Sequence, residues 1–156
     1  MTRSDDDRIT RLRRLYRERI ESQDAVHPGY AAAWGAFEAL VLSHGGSLVV
    51  PPANPDPMID VLARDGGVLS PYGIEPVAGA RSDCHFNVVH LWLTGSIVAI
   101  GTGYALNGDL WREHSWGWNN EDQLIETTEA RDRYFGVRMV GDQAKWFADW
   151  IESSEV

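Results

Sequence analysis

Cys84, His114 and Glu126 are the residues of this chain whose types and order could do chemistry together. Cys84 is the single cysteine among 156 residues and stands in the stretch SDCHFN, residues 82 to 87. A lone thiol is commonly an apolar filler, but here Ser82 and Asp83 precede it and His85 and Asn87 follow closely. The pattern places Cys84 in the first turn of a helix, capped by Ser82 or Asp83. Unpaired N–H groups there carry partial positive charge. They favour a thiolate, the nucleophilic form, and can supply part of an oxyanion hole. Asp83 opposes the thiolate if its carboxylate faces the sulfur.

A cysteine nucleophile needs a base, and the base needs an orienting group. The chain offers five histidines. His85 follows Cys84 on the helix and projects about 100° away. His90 lies on another face, and His27 and His44 read as helix-boundary residues. His114 sits mid-strand in REHSWGW, and Glu126, in LIETT, falls on the next strand. An acid there can hold the imidazole by its second nitrogen. Asn87, one turn after Cys84, offers a further oxyanion donor. Trp92, Trp111, Trp116 and Trp118 could wall a substrate site, with Arg112 at its rim. Each of these also has a plain structural reading: core tryptophan, helix-surface asparagine, satisfied core histidine.

The acid role carries a geometric condition, because side chains alternate faces along a strand. A connection of two or four residues pairs His114 with Thr127 and turns Glu126 away. A loop of three or five residues within WNNED, or a bulge, brings Glu126 to the His114 face. Asn119 and Asn120 tolerate the left-handed backbone that such loops need.

Cys84, then His114-Ser115-Trp116, then Glu126-Thr127-Thr128 resembles the transglutaminase-like, papain-related cysteine superfamily, whose common form is C…HAW…D-x-T. More narrowly, the chain resembles a group of uncharacterised bacterial and phage proteins with C-H-x-N, G-Y-A-L-like, H-x-W and YFG elements. These stand here as Cys84-His85-Phe86-Asn87, Gly103-Tyr104-Ala105-Leu106, His114-Ser115-Trp116 and Tyr134-Phe135-Gly136. The resemblance spans about residues 82 to 137. It implies a Cys-His-acid core performing acyl chemistry on an amide or ester. Two positions depart from the pattern: the acid is Glu126 rather than Asp, and no glutamine precedes Cys84 at the usual short spacing, position 78 being Ala.

The elements that must position these residues follow from periodicity. SDDDRITRLRRLYRERIES (4–22) reads as a helix with an acidic start and an apolar stripe of Ile9, Leu12, Tyr16 and Ile20. A second helix runs from HPGY (27–30) to about Ser43 and is apolar on most sides, so it should pack on a sheet. SLVV is a short strand, PPANPDP (51–57) a stiff loop, MIDVLARDGG a helical turn and SPYGIEPVAGAR a loop. After the cysteine helix, SIVAIGTGYAL, WREHSWGW, QLIETT and YFGVRMV read as strands. Asp142 can cap a last helix, QAKWFADWIES. The fold class expected is α+β: one domain over 1–156, with an antiparallel sheet carrying the nucleophile helix over 82–140.

Composition narrows the function. Net charge is −9, which argues against nucleic-acid binding. No apolar run approaches the roughly 20 residues of a membrane span. A single cysteine allows no intrachain disulfide, and no secretory leader pattern is present, so a cytoplasmic protein is expected. Three functions compete. The first is a cofactor-free cysteine hydrolase or acyltransferase acting on a peptide or small amide or ester, cationic or neutral. The second is a non-catalytic interaction module with a Trp-rich pocket, whose six arginines between residues 4 and 22 dock an acidic protein. The third is a metal site of Cys84 with His85, His90 or His114, which no ligand spacing supports.

Overall fold

The structure is a computed structural model that describes residues 3–71, 73–81 and 83–154. Its elements in chain order are α1 (Arg3–Val26), α2 (Tyr30–Leu42), β1 (Leu48–Val49), α3 (Ile59–Asp65), β2 (Gly67–Val68), β3 (Gly73–Pro76), α4 (Cys84–Leu93), β4 (Ala99–Asn107), β5 (Leu110–Trp118), β6 (Gln123–Glu126), β7 (Arg133–Met139) and α5 (Gly141–Ser153). The architecture is α+β, as the sequence pattern requires. The sheet order is β2-β7-β4-β5-β6-β3, with β1 also joined to β5.

Three details correct the sequence reading. The strands are no simple meander, because β7 crosses to the far side of β4. Two short strands pair in parallel, β1 with β5 and β3 with β6. The second of these, GIEP, falls in a stretch expected to be loop. Its glycine and proline hide a strand that needs pairing on only one edge. Asp142 lies in the first turn of α5, whose cap position is Val140.

The apolar stripe of α1 does what its spacing implies. Ile9 and Tyr16 are buried against Leu48 and Leu110, with Leu12 packed beside them. Farther along, Gln23 Nε2 donates to the carbonyls of Pro52 (2.9 Å) and Ala53 (3.1 Å), and Arg19 to that of Pro51 (2.6 Å), so α1 pins the proline loop. Gly29 (φ 97°) turns the chain into α2, and Asp24 Oδ1 accepts from the N–H groups of Gly29 and Ala31.

Helices α2 to α5 pack on one face of the sheet. There Trp34, Phe37, Leu62, Val88, Val89 and Phe147 bury against Ile100, Tyr104, Trp111 and Phe135. The opposite face has its own small core of Ala99, Ala105, Trp116, Trp118, Leu124 and Tyr134, to which no helix contributes. Gly101 makes it possible: a Cβ there would lie 1.9 Å from Trp116 Nε1.

Candidate active site

The site is built around β5. One edge of this strand pairs with β4 along its whole length. The other edge is shared, because β1 takes residues 110 and 111 and β6 takes 117 and 118. Among the described residues, 112 to 116 have no strand partner on that edge. Trp111 C=O accepts from Val50 N–H there (2.8 Å). Main-chain groups alternate sides along a strand, so Glu113 and Ser115 present theirs to the gap. The first turn of α4 fills it: the N–H of Ser115 faces the Cys84 sulfur, as does the N–H of His85.

The faces of β5 then divide the chemistry. Even-numbered side chains, His114 and Trp116, lie on the face without helices. His114 is 2% exposed and Glu126 1% exposed. His114 Nε2 lies 3.0 Å from Glu126 Oε1 and 2.9 Å from Oε2. A carboxylate only accepts, so Nε2 carries the proton and Nδ1 of the neutral ring is the basic nitrogen. Glu126 is held by more than the imidazole. Tyr134 O–H donates to Oε2 (2.7 Å), and Thr128 donates to Oε1 through both N–H (3.2 Å) and Oγ1 (3.1 Å). Burial pushes the Glu126 pKa up, but the hydrogen bonds from His114, Tyr134 and Thr128 leave it lowered.

The loop condition is met through its longer option. Trp118 pairs with Leu124, so five residues, 119 to 123, separate the paired positions. Continuing that register sets Glu126 level with Trp116 and diagonal to His114. The left-handed residue is Asp122 (φ 57°), not Asn119 or Asn120. Asn119 instead folds the loop: its Oδ1 accepts from the N–H groups of Glu121 (2.9 Å) and Gln123 (3.0 Å).

Several expectations need correcting. Cys84 is half-buried, and its pKa is raised, not lowered. Burial is the main cause, and the charges of Glu113 and Glu126 add to it, against the opposing N–H groups of Ser115 and His85. The helix terminus cannot offset the loss of water around the sulfur. Asp83 occupies the cap position without a side-chain cap bond, and Ser82 lies outside the described residues. Asn87 is no free oxyanion donor. Its amide brackets Ala80, accepting from N–H (3.1 Å) and donating to C=O (2.8 Å), and reaches Thr127 Oγ1 (3.3 Å). Trp111 is wholly buried on the helix face and donates to Gly45 C=O (2.8 Å), so it walls no substrate site. Trp116 is equally buried, packed between His114 and Tyr134 with ring centroids 6.0 and 5.2 Å away. Arg112 is exposed at the start of the gap.

Sequence reasoning missed the polar cluster on the helix face. His85 Nδ1 lies 2.5 Å from Ser115 Oγ, and Nε2 lies 3.0 Å from Glu113 Oε1. Ser115 Oγ also meets Thr102 Oγ1 at 2.9 Å. Nearby, Asp56 of the proline loop is 8% exposed. It accepts from Met58 N–H (2.8 Å) and Tyr104 O–H (3.1 Å). Burial, with Glu113 nearby, raises its pKa to about 6 despite those bonds. The alternation of β5 could have exposed this cluster, since Glu113 and Ser115 must share a face opposite His114. A groove of about 320 Å³ runs past it, bordered by residues 52–57, Asp83, His85, Glu113 and Trp150. Among the described residues no three His, Cys, Asp or Glu side chains converge as metal ligands would, and no helix is long and apolar enough to cross a membrane. Comparison with family models, curated proteins and solved structures gives no match.

Proposed function

We propose that this chain is a cysteine-dependent hydrolase or acyltransferase acting on an amide or ester, with Cys84 as nucleophile, His114 as base and Glu126 as the group that orients His114. One observation carries the reading. The buried His114–Glu126 pair fixes the imidazole tautomer on the very strand whose next residue, Ser115, meets the sulfur. In this reading the neutral ring, held at Nε2, takes the thiol proton at Nδ1. Since burial keeps the resting sulfur protonated, deprotonation accompanies attack, as in serine hydrolases, and no standing thiolate is required. The N–H groups of the first helical turn stabilise the oxyanion, and the groove flanked by Asp83 and His85, on either side of Cys84, receives the substrate. The order of Cys84, His114-Ser115-Trp116 and Glu126-x-Thr128 supports a place in the transglutaminase-like, papain-related superfamily.

A p-nitrophenyl ester assay tests this. Cys84→Ala and His114→Ala should each lower the Cys-dependent rate at least about 100-fold, with both proteins folded. Equal rates in native and Cys84→Ala chains would sink the enzyme reading. They would favour the second reading, a non-catalytic interaction module, which the raised thiol pKa independently suits.

A further inference from the structure

His85 stands beside Cys84 in sequence yet both of its ring nitrogens are committed across the helix–sheet interface, to Ser115 Oγ (2.5 Å) and Glu113 Oε1 (3.0 Å). Glu113 only accepts, so Nε2 donates to it, and Nδ1 of the neutral ring then accepts the Ser115 hydroxyl proton. Ser115 is wholly buried, and Thr102 Oγ1 supports it from the neighbouring strand at 2.9 Å. The same residue turns its main-chain N–H to the sulfur. Ser115 therefore touches two consecutive residues of α4, the side chain of His85 and the thiol of Cys84. Glu113, meanwhile, is a carboxylate close enough to act on the thiol, on Asp56 and on Tyr104.

We propose that His85 is the positioning residue of the Cys84 site: its ring locks Ser115, and with it the N–H that faces the sulfur, and screens the thiol from the Glu113 carboxylate. It touches no reacting atom. The proposal rests on the reading of Cys84 as nucleophile, and it adds what holds that nucleophile in register. The groups around the ring are few. Glu113, Ser115 and Thr102 face it from the sheet. Asp56 comes from the proline loop, Phe147 and Trp150 from α5, and Asp83 from its own helix terminus. Glu113, Asp56 and Asp83 are the acids among them, and the Nε2–H of the ring donates to the Glu113 carboxylate, the one that acts on the thiol.

The experiment is iodoacetamide alkylation of Cys84 across pH in the full chain, with melting temperature measured alongside. His85→Ala should raise the midpoint by about one pH unit, read as about tenfold slower alkylation at neutral pH. His85→Gln, which keeps a donor and an acceptor, should recover most of the rate. Glu113→Gln should lower the midpoint far more in the His85→Ala background than in the native chain, because screening is absent there. An unchanged midpoint in folded His85→Ala, or an equal Glu113→Gln shift in both backgrounds, would overturn the proposal. Should His85→Ala fail to fold, Ser115→Ala takes its place: a smaller rise in the midpoint is expected, and no rise at all would refute the role of His85. Alkylation requires no turnover, so a chain that hydrolyses no ester still reports on His85.

Discussion

Two buried acids show how far single residues depart from their ordinary chemistry here, and in opposite directions. Asp56 titrates at about 6 in the folded chain against 3.8 ordinarily. The unfolded chain gives up that proton first, so stability falls as pH rises through this window and stays lower above it. Asp56→Asn should remove the penalty. Urea unfolding should show it more stable than the native chain at pH 7, by at most about 3 kcal/mol, with the advantage gone at pH 4. Glu126 behaves the other way. Its folded pKa is lowered, so its contribution is present above the ordinary glutamate value and is lost as pH falls through the folded one. Residue types and strand alternation made the contact of His114 with Glu126 legible in the sequence. The acidity of the thiol was not, because it depends on how much water the fold strips from the sulfur, a tertiary quantity. Asn87 misled for a related reason: its spacing from Cys84 was right, but Ala80 and Thr127 claim its amide.

At the scale of elements, strand alternation was the most informative rule. It turned the length of one loop into a statement about which face Glu126 occupies, and the register of β5 and β6 meets it. Asp122 is the residue that carries the backbone strain, and its carboxylate pairs with Arg138 at 2.9 Å, whose guanidinium lies 4.9 Å from the centre of the Trp118 ring. Asp122→Gly should change stability little, since relief of the left-handed conformation offsets an exposed ion pair worth at most about 1 kcal/mol. Asp122→Val, β-branched at positive φ, should cost about 1–2 kcal/mol in chemical denaturation. What alternation could not give was β3. A four-residue strand of Gly, Ile, Glu and Pro has no periodicity to read, and its existence depends on β6 being free on that edge.

For the molecule as a whole, the pattern of elements foretold an α+β fold but not the division of its sheet. One face is packed by helices, while the small core on the other has Trp116 seated over Gly101 and Gly136. Against a net charge of −9, the close ion pairs of Arg and Lys among the described residues, those of Arg64, Arg138 and Lys145, are exposed. Self-repulsion should therefore outweigh lost attraction, and 0.2 M NaCl (about 7 Å screening) should raise the melting temperature by about 2–4 °C. The gap in the edge of β5 has one more consequence. In the middle of a sheet an amide is normally shielded from solvent deuterium by a neighbouring strand, but Ser115 has a sulfur atom in that place. Hydrogen exchange should thus find Ser115 slow in the native chain and much faster once Cys84 is alkylated, while its neighbours bonded to β4 stay slow. A single backbone position would then serve as a clock for the chemical state of the cysteine.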